Sequence, residues 1–203
     1  MEMKNVKGSY DYGINEERVR SYIRNTLAKV FVKYGYQGIE TPIINYYDLM
    51  ALKYNDDAEI LNEVYKLSDQ GGRKLALRYD LTVPFAKYIA LNKGISLPLK
   101  KYEIGKVFRD GPVKVGRNRE FIQCDVDVVG ISDVVIDAEL IALFVEACNR
   151  MKIDIIIVGV GGTGGCLFTK LVRFLSDTDF KGIDLTFRIM DGDFVEAKNL
   201  GRQ

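Results

Sequence analysis

Residues 99–130 read LKKYEIGKVFRDGPVKVGRNREFIQCDVDVVG, and the fold turns on them. Two runs of strand-forming residues flank Asp110-Gly111-Pro112, which has the composition of a turn, so the stretch predicts a β-hairpin. Side chains alternate across a strand. In the second run Arg119, Phe121, Gln123, Asp125 and Asp127 therefore share one face, and Ile122, Cys124, Val126 and Val128 the other. The even face is expected to be apolar core and the odd face to carry chemistry. In the first run Arg109, Glu103 and Gly105 lie on one face, and a glycine there is expected to leave room for a ligand beside the backbone.

An alternating hairpin by itself is most simply a sheet with one wet face. Charge argues for more. From Lys100 to Arg119 there are seven basic residues against two acidic ones, in a chain whose formal net charge is +1. Such a local excess suits a polyphosphate, and Asp125 and Asp127 on the same face would suit an amine or imidazole lying deeper.

FRDGPVKVGRNREF followed by QCDVDVVG resembles motif 2 of the class II aminoacyl-tRNA synthetases in its histidyl form. LRYDLTVPFAKYIA, residues 77–90, is similar to that family's histidine-binding segment, and Gly8-Ser9-Tyr10-Asp11-Tyr12 to its opening segment. The likeness runs from about Val6 to about Arg150. It implies an α+β domain over residues 1–150, built on an antiparallel sheet with flanking helices. It also implies ATP and magnesium as cofactors, with histidine and tRNA as partners. By resemblance Arg109 is catalytic and holds the α-phosphate, Arg117 and Arg119 reach the outer phosphates, and Phe121 stacks on adenine. Asp80 and Thr82 would take the α-amino group, while Gln123 and Asp127 line the amino-acid pocket and Asp127 reads the imidazole. Read from residues alone, Asp80 and Thr82 are equally a strand end and a helix cap. Gly111 stands where many class II motif 2 loops carry glutamate.

The remaining chain supports this frame. Residues 16–33 carry an amphipathic pattern, with Asn15 as expected cap and Gly35 as stop. Residues 36–44 then read as an edge strand interrupted by Pro42. Together they resemble motif 1, which implies a homodimer. Residues 64–67 and 73–78 predict a hairpin, and a helix follows with Thr82 as expected cap, Pro84 in its first turn and Gly94 as its close. A further amphipathic helix is expected over residues 137–150.

From residue 151 the character changes. A nearly continuous apolar run from Ile153 to Val160 passes into Gly159-Val160-Gly161-Gly162-Thr163-Gly164-Gly165, and a second strand ends at Asp191. This predicts a partial Rossmann-like βαβ unit over residues 151–203. With DGDFVEAKNLGRQ it resembles the start of the ubiquitin-activating and sulfur-carrier adenylyltransferases. That resemblance makes Gly159, Gly161, Gly162, Gly164, Asp191, Asn199 and Arg202 a second nucleotide-site candidate.

Composition sets the bounds. With 47% hydrophobic and 28% charged residues the chain can bury a core. It has no histidine and three widely spaced cysteines, so histidine acid–base chemistry and zinc spacing are excluded and no metal-ligating side chains are identified. No apolar run has transmembrane length, and a cytoplasmic protein without membrane contact is expected. The expected activity is ATP-dependent activation of histidine to histidyl-adenylate. A histidine-sensing regulatory subunit of ATP phosphoribosyltransferase is one alternative. A carrier-protein adenylyltransferase fragment is the other.

Overall fold

A computed structural model describes residues 3–52, 59–153, 156–158 and 188–190. Contacts divide the chain into two compact units, Met1–Gly130 and Ile131–Gln203, and each is taken by itself.

The first unit is built on the hairpin. Strands β5 (Leu99–Phe108) and β6 (Glu120–Val129) pair antiparallel over ten residue pairs, from Leu99↔Val129 to Phe108↔Glu120. Arg109 N donates to Arg119 O at 2.9 Å, which closes the mouth of the connecting loop. The loop's tight reversal comes later than Asp110-Gly111-Pro112. Lys114 and Arg117 form an isolated bridge, and between them Gly116 takes a φ of 75° that L side chains rarely adopt. Strand β1 (Gln37–Gly38) lies parallel to β5, giving the order β1-β5-β6.

The odd face of this sheet is the more buried one, contrary to the expectation that its apolar face would be core. Lys101, Glu103 and Val107 are buried, while Cys124 on the even face is exposed. The segment leading into α4 (Thr82–Leu91) accounts for this, since it lies over the charged face and brings Leu81 and Phe85 onto it. On the even face Tyr102 meets Phe31 of α1 (Ile14–Lys33), with ring centroids 5.2 Å apart.

Residues 36–44 do not form one strand. They divide between β1 and β2 (Ile44–Tyr46), which pair in different sheets. Between them Thr41 N donates to Glu103, and Pro42 has no N–H to give to a ladder. The second sheet has the order β2-β4-β3, with β3 (Lys66–Ser68) and β4 (Lys74–Leu77) forming the expected hairpin. Asp69 holds its turn, accepting from Arg73 N at 2.9 Å and Arg73 Nε at 2.6 Å. Against this sheet Met50, Val64, Ala76, Tyr79 and Val83 make a buried cluster with α2 (Tyr47–Ala51) and α3 (Glu59–Asn62) nearby. Each fully buried large side chain there contributes about 1.5–3 kcal/mol.

Helix α1 starts two residues earlier than Asn15 would set it. Gly13 is its N-cap, and Glu16 Oε2 accepts from Gly13 N at 2.8 Å. Its end is as expected, with Gly35 at a φ of 83° just past the last turn. In the second unit α5 (Val134–Arg150) begins three residues before Asp137, because the Asp133 carboxylate accepts from Val135 N at 2.9 Å. Strands β7 (Ile156–Val158) and β8 (Arg188–Met190) pair parallel, and the residues between them lie outside the described ones.

Candidate functional site

The site is assembled by a buried ion pair. Arg78, at the end of β4, is 3% exposed, and Glu103 on β5 is 1% exposed. Arg78 Nη1 donates to Glu103 Oε1 at 2.9 Å and to Thr41 O at 2.6 Å, while Arg78 Nε donates to Lys106 O at 2.7 Å. Thr41 completes the carboxylate's shell through its N–H at 2.9 Å and its hydroxyl at 2.8 Å. Burying two charges is tolerable only with such full pairing. Gly105 makes the arrangement possible. A Cβ there would overlap Arg78 Nη2 and lie 3.2 Å from Arg78 Cζ. The space expected for a ligand at Gly105 is thus taken by a guanidinium, and the glycine serves the scaffold.

Anchoring Arg78 delivers the next residues to the sheet. Arg78 O accepts from Phe108 N at 3.0 Å, directly before Arg109. Asp80 is buried, and its Oδ1 accepts from Val83 N at 3.0 Å. The cap of α4 is therefore the Asp80 carboxylate, and Thr82 is the helix's first residue rather than its cap. Thr82 is exposed there, two positions from Asp80.

Along β6 the expected residues Gln123 and Asp127 share one face, each engaged with a different neighbour. Gln123 Nε2 donates to both oxygens of Asp125, at 2.8 and 3.0 Å. Asp127 lies across the ladder from Lys101, whose Nζ is 2.6 Å from Asp127 Oδ2 and 4.4 Å from the Phe85 ring centroid. Burial raises the Asp125 carboxyl above its ordinary value; Gln123 and Lys101 counter this, while the charges of Asp127 and Asp80 add to it. Gln123 Oε1, Lys101 Nζ and Asp127 Oδ2 are buried yet lack a well-directed hydrogen-bond partner among the described residues. The Lys101–Asp127 contact is thus close as a charge pair but poorly aligned as a hydrogen bond. Orphaned polar atoms of this kind ask for a ligand's complementary groups.

The arginines lie at the loop end of the same face. Arg109 sits between two rings, with its guanidinium carbon 4.4 Å from the Tyr79 centroid and 4.9 Å from that of Phe121. Its Nε donates to Tyr79 O at 3.4 Å. Phe121, expected under adenine, thus packs on Arg109. Arg117 Nη2 is ion-paired with Glu63 Oε1, and Tyr79 OH donates to Glu63 Oε2 at 3.2 Å. Gly111 is the reason that Glu63 fits, since a Cβ there would come within 2.8 Å of Glu63 Oε1. Arg119 Nη2 lies 3.4 Å from Asp110 Oδ1, and Arg119 Nε donates to Gly111 O at 3.3 Å. Burial pushes the Tyr79 and Tyr65 hydroxyls up from their ordinary value, so both stay protonated as neutral donors at physiological pH.

Sequence reasoning missed Lys101, Arg78, Glu63 and Tyr79 as site residues. Lys101 was legible in principle, because it shares the two-residue period of Glu103 and Arg109. Glu63 was not, since it is 54 residues from Arg117. The second nucleotide-site candidate, Gly159, Gly161, Gly162, Gly164, Asp191, Asn199 and Arg202, lies outside the described residues.

Comparison with known proteins gives the family. The family model described as histidyl-tRNA synthetase matches residues 8–177, a range that includes the Gly-rich sequence 159–165. A histidine–tRNA ligase 1 of Bacillus cereus is 54% identical over 157 residues, which is 77% of this chain and 37% of that protein. The crystal structure of histidyl-tRNA synthetase from Nostoc sp. PCC 7120 superposes with a TM-score of 0.64 at 31% identity, covering 73% of this chain and 34% of that one. The crystal structure of an ATP phosphoribosyltransferase regulatory subunit/histidyl-tRNA synthetase from Bacillus halodurans gives 0.65 at 28% identity, covering 72% and 37%. The chain spans a little over a third of the length of the curated relatives that it matches. From its ordered motifs, its hairpin site and these matches, the chain belongs to the histidyl-tRNA synthetase family.

Proposed function

We propose that the charged face of β5 and β6 activates histidine, joining its carboxylate to the α-phosphate of ATP with release of pyrophosphate, for transfer to tRNA. The observation that carries this reading is the juxtaposition of orphaned polar atoms at Lys101, Gln123 and Asp127 with a run of arginines at the loop end. No side-chain nucleophile is needed. The substrate's own carboxylate attacks, and the protein aligns it and stabilises phosphoryl charge.

In this reading Asp80 and Gln123 Oε1 accept from the α-ammonium, Thr82 stands beside them, and Asp127 accepts from the imidazole. Arg109, held flat by Tyr79 and Phe121, spans the carboxylate and α-phosphate bidentately. Arg117 and Arg119 exchange Glu63 and Asp110 for the outer phosphates, and Phe121 offers its free face to adenine. Bound magnesium would supply further charge neutralisation at the phosphates beside Arg117 and Arg119; among the described residues no group of three or more acidic or thiol side chains could hold it, so the nucleotide itself would have to supply its ligands. The chain would act as a homodimer in the cytoplasm. The exposed apolar side chains of α1 and β2, among them Val19, Tyr22, Ile44 and Tyr46, support a partner surface. Among the described residues no helix is long and apolar enough to cross a membrane.

Calorimetric titration separates the two half-sites. Asp80→Asn should lose histidine and keep ATP, whereas Arg117→Ala, at a residue assigned to the outer phosphates alone, should weaken ATP and keep histidine. Loss of neither ligand in either variant would remove the face from the mechanism. The likeness to the Bacillus halodurans regulatory subunit/synthetase motivates a second reading, a histidine sensor that regulates a phosphoribosyltransferase. Such a sensor would bind histidine without making adenylate.

A further inference from the structure

We propose that Lys101 makes the side-chain end of this pocket select a neutral imidazole, by matching the charge of Asp127 and occupying one of its two oxygens. The inference rests on the histidine reading above and deepens it.

Lys101 is 0% exposed, an uncommon position for an ammonium group, and it stands opposite Asp127 in the ladder register. Its Nζ lies 2.6 Å from Asp127 Oδ2 and over the face of Phe85, and no well-directed hydrogen bond satisfies it among the described residues. The Asp127 side chain is 38% exposed, so the carboxylate is open on the side away from the lysine. The other charged groups facing this point are engaged. On β5, Glu103 is held by Arg78 and Thr41. On β6, Asp125 takes both bonds from Gln123. Before α4, Asp80 caps the helix, and from α4 itself Phe85 brings no charge. Lys101 is therefore the cation that balances Asp127.

A neutral imidazole presents one N–H, which the remaining Asp127 oxygen can accept. An imidazolium gains attraction from Asp127, but Lys101 on the far oxygen repels it and offsets much of that gain. The attraction that remains is set against the cost of desolvating the charged ring, a cost that the neutral ring does not carry. Without Lys101 the balance reverses, and an uncompensated carboxylate prefers the cationic ring.

The test is histidine affinity, measured by calorimetry on the chain from pH 5.5 to 8.5. The free imidazole titrates near about 6.5, so wild-type affinity should fall by about tenfold at pH 5.5. Triazolylalanine, whose ring stays uncharged over this range, should bind with a flat profile. Lys101→Met should abolish or invert the fall for histidine, and Lys101→Arg should restore it. Lys101→Gln carries the same expectation as Lys101→Met and serves if the latter does not fold. An unchanged tenfold fall in Lys101→Met and Lys101→Gln overturns the inference. So does an equal fall for triazolylalanine, which would trace the effect to titration of the protein. Absence of histidine binding by the wild-type chain at pH 8 removes the functional reading itself, and this inference with it.

Discussion

Asp80 caps α4 and, on the proposed reading, also takes the substrate's ammonium group, and one substitution separates the two. Its Oδ1 caps α4 at Val83 N, and its charge faces the expected ammonium site. Asp80→Asn keeps an acceptor for the cap and removes the charge, so thermal stability should stay close to wild type while histidine binding is lost. Asp80→Ala removes both and should also cost about 0.5–2 kcal/mol in denaturant unfolding. If both variants bind histidine normally, Asp80 is only a cap. Asp125 allows a check through pH. Burial raises its carboxyl above the ordinary 3.8, so its ionised form is what the fold penalises. Its contribution to stability is greatest below that ordinary value and falls as pH rises through the raised one. Asp125→Asn, which does not titrate, should therefore raise the unfolding midpoint at pH 7 relative to its effect at pH 4. An equal change at both pH values would contradict this.

Among the elements, the buried Arg78–Glu103 pair is a principal link between the two sheets of the first unit, beside the Phe108 N–Arg78 O bond. Glu103→Ala leaves Arg78 charged and buried, which should cost about 3–5 kcal/mol in urea unfolding. Gly105→Ala should cost about 1–3 kcal/mol by displacing the same guanidinium. Little loss in either would mean that the pair adds little to the fold. Here the limits of reading by sequence become physical. The alternation in β6 reports which side chains share a face, because a strand's period is fixed by its backbone. It does not report which face is buried. That depends on the Arg78–Phe85 segment crossing the charged face, a contact between residues far apart in the chain. Gly105 stands out in the sequence as a place of close approach, yet its neighbour is Arg78, because spacing does not say who approaches. Residue type points to Thr82 and Asn15 as caps, whereas Asp80 and Gly13 with Glu16 hold those ends through the local backbone. The arginines were legible as a set, but not their partners Glu63, Tyr79 and Asp110, brought near by tertiary packing.

At the scale of the whole molecule, the pattern on α1 is informative for what stays uncovered. Val30 and Phe31 enter the core, whereas Val19 and Tyr22, on the apolar stripe of the same helix, are each 59% exposed. A homodimer that covers this stripe should dissociate on Tyr22→Glu or Val19→Glu. Sedimentation should then shift from twice the 23.0 kDa chain mass to the monomer. A wild-type chain that sediments as a monomer at micromolar concentration would contradict the dimer. The most direct test of the central claim is histidine-dependent exchange of labelled pyrophosphate into ATP by this chain. Exchange should require histidine, fail with other amino acids, and fall by about 10²–10³ in Arg109→Ala if one charge-stabilising donor is lost. Absence of exchange, with histidine and ATP still bound in calorimetry, would contradict activation at this face and support a histidine sensor instead.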